Sequence, residues 1–407
     1  MSPDVLKTPP TINFIMLPCR EQVIHKIILT SAVVCFWVLS ATMAFGAEYT
    51  LTPGLKLQEA YNDKVLFEDI HDLETRISPS LGLLAKTERG SAKLTSNWDI
   101  LRYRDNNDLD RVNQKHGLGL SYGLTPLVSL SLSAGVGIDY SFESELEESG
   151  IVAEKQKRNK YSLGPGISFS VNEFNSLRFS LSLSKTDNEK EDSTDNTGGG
   201  ANLGWTHVWD EKTSLTASGG VRQTWYDYED GDGHQRVYSV SGNMNRRFSE
   251  IFSMSLGGGG SKSYSHYDRR AGTTEGQTKQ FNLNAGARWA LEKTAFSCNV
   301  SRGLTQSIYD EDVTRDRLSG NVSYKFTERI SSSLSSSYTR SKTEGIVQER
   351  KSETYFYSPS LQFKTGENSN LKFSYTYTES EDKIKDTSKH SNKYMIQYSI
   401  SFPQNIN

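Results

Sequence analysis

The sequence has few cysteines and little net charge. Of its 407 residues only three are cysteine, and two of these, Cys19 and Cys35, lie in an N-terminal segment with the features of a signal peptide. Cys298 would then be the one thiol of the exported chain, which excludes a disulfide framework. The formal net charge is −3, and a chain so close to neutrality is not expected to bind nucleic acid as its main partner.

Long apolar runs are missing after residue 47. The one continuous run, residues 27–45, follows a short basic segment and ends at Gly46 and Ala47. This order is typical of a secretory signal peptide, so we predict that residues 1–47 direct export, with Met16 as an alternative start. The competing interpretation is an uncleaved anchor helix, because the run approaches the length of a membrane span. Without a later span, the exported chain is either soluble or a closed barrel of strands.

Alternation of apolar and small residues is the dominant pattern that is present. In the stretch Leu127–Phe142, LVSLSLSAGVGIDYSF, every even position from Val128 to Phe142 is apolar and every odd position between them is small or polar. Alternate side chains of a strand point to opposite faces, so one face here is apolar and the other is wettable.

The same alternation continues to the C-terminus. It predicts about eighteen strands (sixteen to eighteen) of roughly 10 residues, the length of a tilted membrane strand. The weakest candidates lie near Leu55, Leu81, Trp98 and Leu120. The predicted fold is all-β: residues 48–407 form a single up-and-down antiparallel transmembrane barrel.

The predicted connections alternate between short turns and longer hydrophilic segments. Short turns include NEFN at 172–175 and FTERI at 326–330, whereas ESELEESGIVAEKQKRN at 143–159 and DYEDGDGH at 227–234 are longer. Short periplasmic turns and longer extracellular loops are typical of outer-membrane barrels. Apolar-face aromatic residues also concentrate near both strand ends, as in the two aromatic girdles of such barrels.

The signal-like N-terminus, the alternating strands and the closing KYMIQYSISF with Phe402 resemble Gram-negative outer-membrane β-barrels. Such C-terminal strands resemble the signal that these proteins present to the barrel assembly machinery, although here Pro403 to Asn407 follow the aromatic residue. More narrowly, residues 49–133, with LTPGLKLQEAYNDKVLFED and ISPSLGLLA, are similar to β-barrel porins associated with exopolysaccharide and exosortase (PEP-CTERM) systems. The resemblance implies fold and location, and it carries no catalytic residues.

No candidate catalytic residues, cofactor or metal site emerge from the sequence. His116, His207 and His266 are in phase with the apolar faces of their strands, where they cannot act as bases for lumenal serines. The acidic segment 227–234 lacks the full spacing of a calcium loop. We therefore predict that the protein is not an enzyme and has no cofactor.

One lumenal feature is specific to this chain. Six basic residues near short turns share the parity of the polar face, and at the periplasmic mouth they would form a ring that favours anions. The alternative is that these cations are merely solvated. The six residues are Arg178, Arg247, Arg288, Lys325, Lys364 and Lys372.

The sequence predicts a porin-like passive channel of the cell outer membrane for small hydrophilic solutes. The resemblance described above implies that such a channel serves an exopolysaccharide-related export system. Its expected partners are outer-membrane lipid, lipopolysaccharide, the barrel assembly machinery and the permeating solutes or polysaccharide system. An alternative is a non-conducting barrel whose charged loops bind a partner or lipopolysaccharide. A third is a soluble periplasmic β protein.

Overall fold

The computed structural model describes residues 47–140, 156–189, 194–228, 230–270, 272–306, 312–343 and 351–406. The predicted signal segment therefore lies outside the described residues except for Ala47. Nineteen strands and two 3-10 turns, Val65–Phe67 and Asn107–Leu109, make up the regular structure. Within these ranges no helix is long and apolar enough to cross a membrane.

The strands follow one another along the chain in sequence order. Their bounds are β1 Glu48–Asn62, β2 Asp72–Lys86, β3 Gly90–Tyr103, β4 Arg111–Thr125, β5 Val128–Tyr140, β6 Lys157–Ser170, β7 Asn175–Asn188, β8 Asp195–Asp210, β9 Thr213–Tyr228, β10 Gly231–Arg247, β11 Phe252–Arg269, β12 Gly272–Ala290, β13 Thr294–Gln306, β14 Asp312–Lys325, β15 Ile330–Thr343, β16 Lys351–Lys364, β17 Ser369–Asp382, β18 Thr387–Ser401 and β19 Gln404–Ile406.

Strands β1 to β18 form a closed up-and-down barrel, which confirms the predicted fold class. Each strand pairs antiparallel with its sequence neighbours, and β1 closes the ring by pairing with β18 from Gly54 opposite Ser401 to Asn62 opposite Lys393. After Pro403 the short strand β19 resumes pairing with β1 at Tyr49 to Leu51. The residues beyond Phe402 therefore extend the closing ladder.

The strands are longer than the predicted length of roughly 10 residues. Strands β1 to β18 have 13 to 19 residues, with β5 among the shortest and β12 the longest. The expectation that 227–234 forms a loop was wrong: β9 and β10 pair up to Tyr228 opposite Gly231. Hydrophilic strand ends continue the ladder here because Tyr226, which is fully buried, packs beside Tyr267 at 6.1 Å.

The alternation in β5 explains how one sequence builds both faces of the wall. From Leu130 to Ala134 its even positions pair with apolar positions of β4, for example Leu132 opposite Leu120, and the side chains of Leu130 and Val136 are exposed on the outside. From Ser129 to Gly135 its odd positions pair with small residues, as Ser131 does with Gly166 of β6. The register carries this division around the whole ring, so apolar side chains form an outer face and polar ones line the lumen.

Burial is concentrated at one end of the barrel. Connections at the end we call the turn rim have two to four residues, such as 126–127 and 248–251. At the other end, the loop rim, Val65, Tyr103 and Leu109 form a small apolar cluster under the first two connections. The Asp72 carboxylate accepts backbone N–H groups of Arg104, Asp105 and Asn106, which ties the connection between β3 and β4 to β2.

Candidate functional site: the polar lumen

The lumenal side chains are mostly small and uncharged along β5 to β8. Ser131, Gly166 and Ser180 are neighbours on three successive strands, and Asn202 follows on β8. Elsewhere the backbone approaches lumenal glycines closely: a Cβ on Gly259 would lie 2.2 Å from the carbonyl oxygen of Val240. Small residues therefore allow the strands to curve while the lumen stays open.

Cavities of about 1860, 720 and 360 Å³ occupy the lumen. The described lining of the largest cavity contains eight cations and two carboxylates, and these charged residues come from both sides of the ring. They are Lys56, Lys64, Arg76, Lys115, Lys160, Arg315, Arg317 and Lys393, with Asp99 and Asp139.

Ion pairs neutralise part of this positive charge. Asp139 accepts two hydrogen bonds from Arg158, at 3.1 and 3.3 Å, and also lies 3.1 Å from the Lys160 ammonium. The other carboxylate of the lining, Asp99, accepts a hydrogen bond from the Ser78 hydroxyl.

Glu74 is only 1% exposed and forms ion pairs with two cations of the cavity lining, near the loop rim. The Lys393 ammonium donates to it at 2.8 Å and the Arg76 guanidinium at 3.1 Å, while the Tyr103 hydroxyl donates at 3.3 Å. A buried carboxylate needs such partners, since an unpaired charge away from water is costly.

Four cations of the cavity remain without a carboxylate partner in the part of the chain that the structure describes. They lie on β1, in the first loop-rim connection, on β4 and on β14, and they are Lys56, Lys64, Lys115 and Arg317. Water must satisfy their charges in the absence of a ligand, and the lumen consequently carries a positive field.

The six basic residues singled out in the sequence occupy lumenal positions close to the turn rim. Arg247 and Arg288 flank Ser253 on the two neighbouring strands, so these guanidinium groups share one part of the mouth. Arg247 Nη2 also donates to the backbone oxygen of Glu211 at 3.4 Å. Arg178 lies between Ser168 and Gly204.

The three lysines of this set lie on β14, β16 and β17. Lys325 is opposite Ser331, Lys364 is opposite Asn370, and Lys372 lies between Gln362 and Gln397. The ladder therefore brings the six residues to one end of the lumen, distributed over six strands.

Sequence reasoning missed other lumenal cations. Lys86 and Lys93 also lie near the turn rim, whereas Lys115 and Arg317 lie farther from that rim, toward the loop rim. The parity of each strand would have identified them, but Lys86, Lys93 and Lys115 lie on β2 to β4, where the alternation is weakest. Arg317 lies on β14, where the alternation is regular. The predicted ring of six basic residues at the turn rim is therefore only part of the positively charged lumenal surface.

The turn rim also carries an acidic feature. Seven of its eight connections contain an exposed glutamate, which places carboxylates outside the basic mouth. These residues are Glu88, Glu173, Glu211, Glu250, Glu292, Glu328 and Glu367. Because they lie at the turn tips, they are more strongly screened by salt than charges inside the lumen.

The histidines of β4, β8, β10, β11 and β18 share the parity of the outer face in the ladder, and His116 also borders the largest cavity. His116 Nδ1 lies 2.6 Å from the Ser96 hydroxyl on the outer face, and His234 and His266 are ring neighbours at 5.3 Å. The described residues contain no group of three or more His, Cys, Asp or Glu side chains that could hold a metal ion.

Comparison with known proteins identifies fold relatives only. No family model and no curated protein sequence match the chain. The fold is similar to the copper transporter OprC, with a TM-score of 0.53, 11% identity and coverage of 83% of this chain, and the chain spans only 62% of that transporter. It is also similar to the FrpB iron transporter from Neisseria meningitidis, with a TM-score of 0.51, 8% identity and coverage of 86% and 81% of the two chains.

A further match is OpdL from Pseudomonas aeruginosa, which covers 88% of this chain and 99% of OpdL at 12% identity and a TM-score of 0.45. At these identities the comparisons establish a barrel of the outer-membrane type and nothing about ligands.

Proposed function

We propose that the protein is an outer-membrane barrel acting as a porin-like passive channel for small hydrophilic solutes. The observation that carries this proposal is the division of the wall: Leu, Val and aromatic residues cover the outer face, while the lumenal cavity of about 1860 Å³ is lined mainly by polar and charged residues. An apolar exterior suits acyl chains, and a polar interior too wide to be filled by side chains holds water. In this proposal residues 1–47 act as the signal peptide and lipopolysaccharide contacts the loop rim.

Conductance tests the proposal directly. Purified protein in planar bilayers is expected to give discrete, long-lived openings in potassium chloride. Absence of openings from protein that migrates as a heat-modifiable barrel on gels would instead support the second candidate, a surface barrel that anchors binding loops. That candidate is favoured by the inward position of part of β13 and β14, which brings Thr305 to the lining of all three lumenal cavities.

We further propose that the basic mouth makes the channel prefer anions. Rings of Arg or Lys at a constriction attract anions and repel cations. Changing Arg178, Arg247 and Arg288 together to Gln is expected to lower the anion-to-cation permeability ratio by about two- to fivefold, from reversal potentials in a salt gradient. Exchanging outer-face cations, such as Arg246, which lies over the Phe248 ring at 5.2 Å, serves as control and should leave the ratio unchanged.

The link to exopolysaccharide export and to the barrel assembly machinery is proposed on the resemblance of the sequence. The C-terminal strand supports the second link, since Phe402 remains exposed and its N–H donates to Pro53 as β18 ends. Deleting residues 403–407 is expected to retain assembly if Phe402 is the recognised end. Loss of outer-membrane protein in that deletion, but not in a Pro403→Ala variant, would show that β19 is required instead.

A further inference from the structure

The wall of the barrel splits between β12 and β13. These strands pair only from Leu283 opposite Arg302 to Ala290 opposite Ala295. Toward the loop rim, β12 continues to Gly272 and β13 to Gln306 without pairing to each other. Residues 303–306 of β13 are therefore not paired to β12. Together with residues 312–317 of β14 they form what we call the inner hairpin.

Polar contacts hold the inner hairpin inside the lumen. The Gln235 side-chain nitrogen on β10 donates to Asp312 at 2.5 Å, and the Thr314 hydroxyl donates to Gln280 on β12 at 3.1 Å. Between them Val313 has no exposed surface. The hairpin thus packs on the lumenal face of strands to which it is not paired in the ladder.

This position brings two guanidinium groups of β14 into the largest cavity. Arg315 and Arg317 line it together with Lys115 of β4 and Lys160 of β6, on the other side of the eighteen-strand ring. Lys160 is paired with Asp139, whereas Lys115 and Arg317 have no carboxylate partner among the described residues. Cations from opposite walls therefore line one lumenal cavity.

We infer that this cavity binds an anion with at least two carboxylate or phosphate groups, which bridges the inner hairpin and the opposite wall. Guanidinium groups bind such oxyanions through paired hydrogen bonds, and a lysine ammonium supplies a compact charge at the far end. An anion with a single carboxylate or phosphate group can bind the cations of only one wall at a time. An anion with charges at both ends satisfies Arg317 and Lys115 simultaneously, and it displaces only water because these cations have no carboxylate to give up.

The site deepens the proposed channel function, and it would make multivalent anions the preferred cargo or the blocking ligand. Its existence does not require conduction, so binding is measured separately. Inorganic tripolyphosphate and orthophosphate are the probes, titrated calorimetrically into the complete exported chain in uncharged detergent micelles. The variants are Arg317→Gln and Lys115→Gln, and the charge-matched control is Arg340→Gln, whose side chain lies on the outer face near Glu353.

We expect the wild-type protein to bind tripolyphosphate more tightly than orthophosphate. Arg317→Gln and Lys115→Gln should each weaken tripolyphosphate binding about five- to tenfold, while the loss for orthophosphate stays within about twofold, because the bridge needs both ends. Arg340→Gln should change neither. Equal losses in all three variants would overturn the site in favour of the overall positive field, and so would wild-type protein that does not bind tripolyphosphate.

Conduction gives the independent readout. Tripolyphosphate that binds a non-conducting protein leaves the site intact and refutes the channel. A conducting protein that binds no tripolyphosphate leaves the channel intact and refutes the site. Where both hold, the same two variants should relieve block of the current by tripolyphosphate by the factor seen in calorimetry.

Discussion

Two seams of the barrel differ in how completely their strands pair. Successive strands would be expected to pair more completely than the first and last strands, but the reverse is found. The seam between β1 and β18 joins the ends of the barrel domain, yet it pairs over nine positions up to Asn62 and is latched at the loop rim. The seam between β12 and β13 joins successive strands, yet it pairs over eight positions and then opens. Connectivity therefore does not decide where the wall is closed.

Polar side chains account for the difference. At the closing seam, Asn392 donates to the Asp63 carboxylate at 2.6 Å through both its backbone and its side chain, and Ser391 donates to Asn62 at 2.7 Å. At the open seam, Asp312 and Thr314 of β14 instead form hydrogen bonds with Gln235 of β10 and Gln280 of β12. Above the apolar band, where acyl chains no longer enforce a continuous ladder, such contacts determine which strands stay together.

The latch of the closing seam also includes Lys393 of β18, which donates to Glu74 of β2, and breaking this contact has the largest expected effect. Glu74→Ala leaves the Lys393 and Arg76 charges without their buried carboxylate, and this should lower the free energy of unfolding by about 3–5 kcal/mol. Urea unfolding of the barrel in micelles, followed by heat-modifiable migration, measures the change. Glu59→Ala, on the outer face of β1 with an exposed hydrogen bond to Thr75, is the control and should stay within about 0.5 kcal/mol. A loss as large in the control would mean that the latch contributes nothing specific.

Much of this architecture could be predicted from alternation alone. The parity of β5 or β7 identifies the outer face, because an apolar side chain every second residue has no other consistent arrangement in a closed barrel. The same parity places Arg178 and Arg288 inside. Even the weakly patterned β2 and β3 are full strands, since their neighbours supply the ladder that their own residues predict poorly.

Other features depend on contacts between residues far apart in sequence. Asp312 meets Gln235 across 77 positions, and no periodicity encodes that contact. Acidic and glycine-rich stretches such as 227–234 predict loops by composition, but here the packing of Tyr226 outweighs that tendency. The cavity cations Lys115 and Arg317 were detectable by parity, whereas their presence in one cavity required the inward hairpin.

A second prediction concerns the wall on which the inner hairpin packs. Gly259→Ala would place a Cβ against the Val240 carbonyl and the Ser241 backbone, neither of which can rotate away. We expect a loss of about 1–3 kcal/mol in the same urea assay. On the adjacent strand, a Cβ on Gly242 would meet nothing within 4 Å, so Gly242→Ala is the matched control. If both substitutions are neutral, the strands have more freedom than this close approach implies.

The smallest expected effect tests the open seam itself. In a Cys298→Ser background, the pair Asn284→Cys and Ser301→Cys lies directly opposite in the ladder and should oxidise to a disulfide without added catalyst. The pair Lys279→Cys and Gln306→Cys, which leaves the Thr314–Gln280 contact intact, would be opposite only if the same register continued toward the loop rim. Because the inner hairpin leaves the wall before that point, this second pair should oxidise poorly.

Adding Asp312→Ala to the second pair removes the hydrogen bond to Gln235 and should raise the yield of disulfide several-fold, since one such contact contributes about 1 kcal/mol. Non-reducing gels of the detergent-solubilised barrel report the yield, and Asp316→Ala, on the outer face of the same strand, controls for loss of a carboxylate. Efficient oxidation of the second pair without Asp312→Ala would mean that the seam closes in solution. Arg315 and Arg317 would then leave the cavity wall with the hairpin, and the contrast between the two seams would reduce to two equally closed ladders.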